Sequence, residues 1–200
     1  MFSKDATLVR TRQGTDLYEF NFDFNICGIP IAQSYASICS HIDIINRYKV
    51  SLFVELGVFK AGTLPYIIPN LELDDDFEYI GFETNIQEVS PLVINYSGRN
   101  PRCHLILKDM WDYLDYVSDF INRAKRPVYI FCDGGNKPRE LAAFSPLLRV
   151  GDVISVHDYA DTQTGEIKDS DFACLGDSFV PLDEQWRKNI LWLPTFMKVK

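Results

Sequence analysis

Short apolar runs recur along the chain at nearly even intervals. They are Ser51–Leu56, Tyr79–Phe82, Cys103–Leu107, Val128–Cys132 and Val153–Val156. Their starts lie roughly 25 residues apart, which is the length of a strand, a crossover helix and two short loops. Because neighbouring parallel strands need a long crossover connection, this spacing predicts βαβ units and a parallel sheet.

The segments between these runs carry helical signals. Trp111–Ala124 and Pro138–Leu148 have apolar residues at helical spacing, and Ile38–Tyr48 shows the same periodicity before the first strand. One of Pro65 and Pro69 should kink or end the helix after the first strand, so we expect that helix to be short or bent. The pattern predicts an α/β fold, a Rossmann-like three-layer sandwich with a mostly parallel central sheet.

The 200 residues show no repeat and no interdomain linker, which predicts a single domain. We divide it into an N-terminal arm and capping helix (1–48), a Rossmann-like core (49–160) and a loop and terminal strand region (161–200). The first 25 residues have the features of an irregular or β-hairpin arm. Asp158–Ser178 is predicted to be a polar loop, and Asn189–Lys200 a terminal strand or hairpin.

Charge and hydropathy exclude two classes of partner. The net charge is −8 and the 20 basic residues are scattered, so nucleic acid is not an expected partner. No apolar run approaches the roughly 18 residues of a membrane span, and the N-terminus lacks a signal-peptide core. We therefore expect a soluble, cytoplasmic protein without a membrane partner; the sequence leaves the oligomeric state open, with a homodimer as one option.

Cysteine and histidine positions outside the strand ends predict structural roles. The cysteines are Cys27, Cys39, Cys103, Cys132 and Cys174. They form an odd, widely spaced set without a CxxC motif, and we expect buried, reduced thiols. His41 in a predicted helix and His104 in a predicted strand are assigned structural or surface roles.

The first strand of the predicted sheet ends in a glycine-containing turn, Glu55–Thr63, where a doubly wound sheet binds its ligand. A P-loop requires lysine after its second glycine, but Thr63 follows Gly62. A dinucleotide fold requires a glycine where Phe59 stands, because the backbone must approach a pyrophosphate. S-adenosylmethionine (SAM) has no pyrophosphate, and Glu55 suits its cationic amino-acid end, so SAM fits this turn best.

Acidic residues after the second and third strands support an adenosine ligand. Glu83 ends the second strand 21 positions beyond Gly62, where a carboxylate can accept both hydroxyls of a ribose. The segment Lys108-Asp109-Met110-Trp111 offers the Asp109 carboxylate for a hydrogen bond from the adenine amino group and an apolar surface for the ring. The alternative for Asp109 is a helix N-cap.

The fourth and fifth strands end in Asp133-Gly-Gly-Asn-Lys137 and in His157-Asp158-Tyr159. The carboxyl ends of parallel strands lie at the same edge of the sheet, so Asp133, His157 and Asp158 should converge. Two carboxylates and an imidazole form a plausible site for a divalent ion such as Mg²⁺. The alternatives are His157 as a metal-free general base, because its unperturbed pKa lies near 6.5, and a structural histidine.

Several of these segments resemble a known family. Gly28–Gln33, the Glu55–Thr63 turn, Glu83 and the block Asp133–Tyr159 are similar to class I SAM-dependent methyltransferases. The resemblance is to the branch with macrocin-type and rhamnosyl O-methyltransferases and cephalosporin hydroxylase-like proteins, and it covers roughly residues 28–160.

This resemblance implies a seven-stranded sheet, with SAM at the first two strand ends and, in several members, Mg²⁺ near the fourth and fifth. The residues that it assigns to the methionine end of SAM are Glu55, Gly57, Gly62 and Thr63, with Glu83 on the ribose and Asp109 near adenine. Asp133 and Asp158 become metal candidates, and His157 falls where catechol-type relatives carry a metal-binding acid. Two departures are Asn136, where relatives often have histidine, and a C-terminal region that looks short for the last two strands.

The sequence thus predicts a SAM-dependent O-methyltransferase that acts on a hydroxyl of a small molecule, such as a sugar or secondary metabolite. Its predicted catalytic residues are Asp133, Lys137 and His157, and Lys137 would act as base or charge stabiliser. The alternatives are a non-catalytic SAM-binding module and a hydroxylase-like enzyme on the same fold. An NAD-dependent oxidoreductase is disfavoured by Phe59.

Overall fold

Two antiparallel strand pairs and a helix precede the central sheet. The computed structural model describes residues 6–10, 16–20, 25–26, 29–30, 35–60, 63–68, 71, 76–159, 166–182 and 193–200. β1 (Ala6–Arg10) pairs with β2 (Asp16–Phe20), which confirms the hairpin alternative for the N-terminal arm. β3 (Asn25–Ile26) pairs with β4 (Ile29–Pro30), and helix α1 (Tyr35–Tyr48) follows.

Five parallel strands form the centre of the sheet, each within one residue of its predicted bounds. They are β5 (Leu52–Leu56), β6 (Glu78–Phe82), β7 (Cys103–Ile106), β8 (Val128–Cys132) and β9 (Val153–Val156). Their side-by-side order is β7-β6-β5-β8-β9. The predicted parallel sheet is therefore confirmed, and its order reverses between β5 and β8, where such sheets bind ligands.

Two short antiparallel strands complete the sheet. β10 (Phe179–Pro181) pairs with β11 (Thr195–Lys198), and β11 pairs with β9. The sheet thus has seven strands, and the short C-terminal region contains the last two of them. The last two strands are instead only three and four residues long. β11 lies inside the predicted terminal strand region, whereas β10 was not predicted because its three residues provide too little alternation to recognise.

Helices cover both faces of the sheet. α4 (Leu114–Arg123) and α5 (Lys137–Phe144) pack on the face that carries Leu52, Val54 and Leu56. On the other face lie α1, α2 (Leu64–Ile67) and α3 (Pro91–Arg99). This arrangement confirms the three-layer sandwich.

Differences between the predicted and observed helices have local causes. α2 has four residues, as the two prolines led us to expect. α3 was not predicted, since Val93 alone among its residues is buried and no apolar stripe marks it. The predicted polar loop contains a 3₁₀ segment, Asp169–Ser178, anchored by the buried Leu175. No helix in the described part of the chain has the length and apolar character that a transmembrane span requires.

Candidate functional site

The carboxyl ends of four parallel strands are aligned, and the predicted site residues follow them. Leu56 pairs with both Phe82 and Cys132, and Cys132 pairs with Val156. The backbone ladder continues for one step, because the Asp133 amide donates to Leu56 O at 2.9 Å and the His157 amide donates to Cys132 O at 3.0 Å. The register therefore brings residues 57, 83, 133 and 157 to one edge of the sheet.

Gly57 follows β5 and lies against the backbone at the end of β8. Its φ of +89° is a left-handed conformation that a residue with a Cβ rarely adopts. An added Cβ would lie 2.5 Å from the carbonyl oxygen of Asp133 and 2.8 Å from the Cα of Gly134. Glycine is thus required twice, by conformation and by the close approach of the next strand end.

Glu55 is fully enclosed behind the turn. Thr63 Oγ1 donates to both of its carboxylate oxygens at 2.7 and 2.8 Å, and the Tyr79 hydroxyl donates to Oε2 at 2.5 Å. Burial raises the pKa of Glu55 to about 7, with the two hydroxyl hydrogen bonds opposing the shift. Glu55 and Thr63 therefore fix the base of the turn, while Gly62 lies outside the described residues.

Glu83 closes the other side of the turn. Its Oε2 accepts the Phe59 amide at 2.9 Å and its Oε1 accepts the Asn85 amide at 2.9 Å. Phe59, whose φ is 48°, is 43% exposed. Among the described residues, Oε2 accepts only the Phe59 amide, and since a carboxylate oxygen has two lone pairs it can accept a further hydroxyl. We call Glu55, Gly57, Thr63 and Glu83 the glycine-turn half of the site.

Asp109 caps a 3₁₀ turn, Met110–Tyr113, at the end of β7. Its Oδ1 accepts the Trp111 amide at 3.1 Å, so the N-cap alternative is confirmed. The guanidinium of Arg139 packs on the Trp111 ring, 3.9 Å from its centroid. One face of the predicted adenine surface is thus covered by Arg139.

Asp133, His157 and Asp158 converge as the sequence predicts. His157 Nδ1 lies 3.1 Å from Asp133 Oδ1 and 3.0 Å from Asp158 Oδ1. Asp158 has a φ of 56°, a left-handed conformation directly after β9. All three candidate ligand atoms lie within 4.8 Å of one another. The structure therefore brings the three predicted metal ligands together.

The Lys137 ammonium lies against the same cluster. Its Nζ is 3.1 Å from Asp158 Oδ2, 3.7 Å from Asp133 Oδ1 and 3.2 Å from the carbonyl oxygen of Gly134. It also lies 2.5 Å from Oε2 of Glu166, a residue that the sequence did not indicate. Asp133, Lys137, His157 and Asp158 form what we call the ion-pair half of the site.

Mutual pairing sets the charges of the ion-pair half. Burial lowers the pKa of His157, but the hydrogen bonds and negative charges of Asp133 and Asp158 outweigh it and raise this pKa to about 9. Burial raises the pKa of Asp158, yet His157 and Lys137 bring it down to about 2. The unperturbed imidazole pKa that supported a metal-free base therefore does not apply, because the two carboxylates favour the protonated imidazole.

Glu140 was missed by the sequence reasoning and holds the loop that carries Asp133. Its side chain is completely buried, and its two oxygens accept the amides of Gly134 and Asn136 at 3.0 Å each. Asn136 itself caps α5 by accepting the Arg139 amide. The sequence signal for Glu140 was a carboxylate on the face of α5 that also carries the buried Leu141 and Phe144.

The donor set fits a divalent metal ion. Octahedral coordination with metal–oxygen distances near 2.1 Å places neighbouring ligand atoms about 3 Å apart. The separations of 3.1 and 3.0 Å from His157 Nδ1 to the two carboxylates match that spacing. The same separations suit N–H···O hydrogen bonds, so the geometry is compatible with both the ion-paired and the metal-bound arrangement.

The predicted structural residues divide into two groups. His41 is fully buried in α1 and contacts the Tyr129 hydroxyl at 2.8 Å, whereas His104 is half-buried 3.7 Å from Glu78.

Cys103 and Cys132 are buried, free thiols as predicted. Cys39 and Cys174 are also free but exposed, so the prediction of burial is wrong for these two, which lie outside the sheet. Cys27 lies outside the described residues.

No family model matches the chain, and no curated protein is significantly similar to it in sequence. Solved structures are similar in fold. An apo-structure of CmcI matches with a TM-score of 0.67 at 16% identity, covering 93% of this chain and 81% of CmcI. CmcI with Mg and SAM matches with a TM-score of 0.67 at 16% identity, covering 96% of this chain and 82% of CmcI.

A third similar structure is the O-methyltransferase TomG from Streptomyces achromogenes, in complex with SAM. Its TM-score is 0.55 at 14% identity, and the match covers 86% of this chain and 83% of TomG. The three matches cover 86% to 96% of this chain. The chain therefore has the Rossmann-like fold of the class I SAM-dependent methyltransferases.

Proposed function

We propose that the protein is a SAM-dependent O-methyltransferase that methylates a hydroxyl of a small molecule, such as a sugar or secondary metabolite. One observation carries this proposal: the register of four strand ends brings a glycine turn closed by Glu83 next to the cluster of Asp133, His157 and Asp158. The fold is shared with CmcI and TomG, both solved with SAM. The pairing of an adenosine-binding half with a hydroxyl-activating half is what methyl transfer to oxygen requires.

The glycine-turn half would bind the methyl donor. Glu83 can accept ribose hydroxyls on the oxygen that also accepts the Phe59 amide. Gly57 lets the turn pack against the backbone of Asp133 and Gly134, and Thr63, tied to Glu55, holds the turn in place. SAM supplies an electrophilic methyl group, so the contribution of this half is position and orientation.

The ion-pair half would bind the acceptor hydroxyl. Asp133 and Asp158, with His157 in its neutral form, would hold a divalent ion such as Mg²⁺, which when bound acidifies and orients a hydroxyl. Lys137 is held as an ammonium, because Glu166, Asp133 and Asp158 raise its pKa despite burial. Its role here is to stabilise negative charge on the acceptor oxygen, whose proton passes to solvent water.

Calorimetry with SAM, S-adenosylhomocysteine and NAD tests this assignment. We expect SAM and S-adenosylhomocysteine to bind. Glu83→Ala should weaken SAM binding about 10- to 100-fold, because the ligand loses hydrogen bonds to a charged carboxylate. Glu78→Ala is the matched control, since Glu78 begins β6 at the opposite end of the strand from Glu83 and its side chain is 42% exposed. Binding of NAD without binding of SAM would refute the proposal.

A non-catalytic SAM-binding module is the second candidate. It is favoured by the contacts of the ion-pair half, because His157 and Lys137 both lie within ion-pair distance of Asp133 and Asp158, an arrangement that needs no metal. Asp133→Ala and His157→Ala distinguish the two functions: in an enzyme they leave SAM affinity intact and abolish methylation of an acceptor. Binding of SAM with no methylation across a library of hydroxylated compounds would favour the module.

A further inference from the structure

Lys137 and a divalent ion would compete for the same two carboxylates. The ammonium lies 3.1 Å from Asp158 and 3.7 Å from Asp133, the two acids that would bind the metal. The Lys137 side chain is only 4% exposed, and the carbonyl oxygen of Gly134 accepts a further hydrogen bond from it. A buried cation at this place neutralises the cluster without any metal.

Like charges at this spacing repel strongly. A metal ion bound by Asp133 and Asp158 would lie within a few ångströms of the Lys137 ammonium, in a partly buried site where solvent screens little. Metal binding therefore requires the ammonium to turn away from the two acids. The lysine side chain is long and unbranched, so such a turn needs rotamer changes only.

Glu166 offers the ammonium a second partner outside the cluster. Its carboxylate lies 2.5 Å from Lys137 Nζ and is 56% exposed, unlike that of Asp133, which is 15% exposed. The backbone next to Glu166 is anchored, because Ile167 is fully buried and forms a β-bridge with Tyr159. Glu166 is thus held within reach of Lys137 without belonging to the candidate metal ligands.

We propose that Lys137 is a built-in counter-cation of the divalent-ion site and that Glu166, already its nearest carboxylate, keeps the ammonium when metal displaces it from Asp133 and Asp158. The inference rests on the metal site of the proposed function, and it adds which residues set the affinity of that site for a divalent ion. Metal affinity then depends in part on the difference between two ion pairings of Lys137, with Asp133 and Asp158 or with Glu166 alone. Removing the lysine should strengthen metal binding, and removing Glu166 should weaken it.

Mn²⁺ binding to the full chain, followed by electron paramagnetic resonance, tests the proposal independently of activity. Lys137→Met should bind Mn²⁺ about tenfold or more tightly than the unmodified protein, since an adjacent like charge is gone. Glu166→Gln should bind it about threefold or more weakly, because the displaced ammonium loses its charged partner. Lys168→Met and Asp177→Asn change the same charges at exposed residues of the nearby segment and should leave Mn²⁺ affinity unchanged.

Equal or weaker Mn²⁺ binding by Lys137→Met overturns the proposal, and so does the absence of binding to both proteins. If the buried substitution prevents folding, as circular dichroism would show, Glu166→Gln decides alone: it lies at the surface, and unchanged Mn²⁺ affinity overturns the proposal. SAM calorimetry on the same preparations distinguishes failure of this inference from failure of the proposed function. Retained SAM binding with a failed Mn²⁺ result removes only this inference, whereas loss of SAM binding in the unmodified protein removes the proposed function.

Discussion

The two halves of the site lie on one sheet edge but are stabilised by different interactions. In the glycine-turn half, carboxylates accept hydrogen bonds from neutral donors: Glu55 from two hydroxyls and Glu83 from two backbone amides. In the ion-pair half, the partners of Asp133 and Asp158 are the cations of His157 and Lys137.

This difference indicates separate roles. Hydrogen bonds from backbone amides and enclosed hydroxyls fix one geometry with little dependence on salt, which suits a half that positions a ligand. Ion pairs exchange partners and titrate, which suits a half that moves a proton or accepts a metal ion. The two halves meet at Gly57, packed against the carbonyl oxygen of Asp133.

Gly57→Ala should have the largest effect, because it disturbs both halves. The added Cβ meets backbone atoms at 2.5 and 2.8 Å, and φ is +89°. We expect a loss of about 3 kcal/mol or more in the free energy of unfolding, combining backbone strain with overpacking. Urea denaturation measures this. Gly135→Ala is the control, since nothing lies within 4 Å of its added Cβ, and an equal loss in both variants would contradict the argument.

His157→Gln should change how stability depends on alkaline pH. The folded pKa of about 9 lies above the unfolded value of 6.5, so the folded state binds the proton more tightly. This contribution is complete below pH 6.5 and is lost as pH rises to about 9, on the order of 3 kcal/mol in total. The variant should flatten the stability profile between pH 6.5 and 9 in urea titrations. An unchanged slope there would show that His157 is not the titrating group.

Glu55→Gln should act in a lower pH window. Burial raises the folded pKa of Glu55 from 4.5 to about 7, so here too the folded state binds the proton more tightly. Its contribution is complete below pH 4.5 and lost by pH 7, on the order of 2 kcal/mol between pH 5 and 8. The variant should lose less stability than the unmodified protein over that interval. Equal losses would mean that Glu55 stays ionised in the fold.

Asp109 should give the smallest effect and separates capping from ligand binding. Asp109→Ala removes the hydrogen bond to the Trp111 amide and should cost about 1 kcal/mol of stability. Asp109→Ser keeps the cap but removes the carboxylate. If Asp109 also accepts the adenine amino group, the serine variant retains stability and loses SAM affinity in calorimetry. Unchanged SAM affinity in Asp109→Ser would limit this residue to capping.

Much of the site could be predicted from the sequence because parallel strands end together. Once the apolar runs were assigned, Glu83, Asp133 and His157 had to reach one edge, and the register confirms that they do. Glu166 could not be predicted, since no local pattern encodes its contact, whereas Glu140 had a signal that we missed, a carboxylate on the buried face of α5. Glu140 binds amides across a loop, and Glu166 reaches Lys137 from 29 positions away.

The sequence by itself determined the sheet, its layers and the edge that carries the site, because hydropathy period and strand spacing are local properties of the chain. Only the tertiary structure decided the charges and partners of the site residues. Burial and close pairing shift the pKa of His157 and of Glu55 away from their ordinary values, and both depend on residues that are distant along the chain. A spacing pattern identifies which residues meet, whereas their environment after folding sets what each can do.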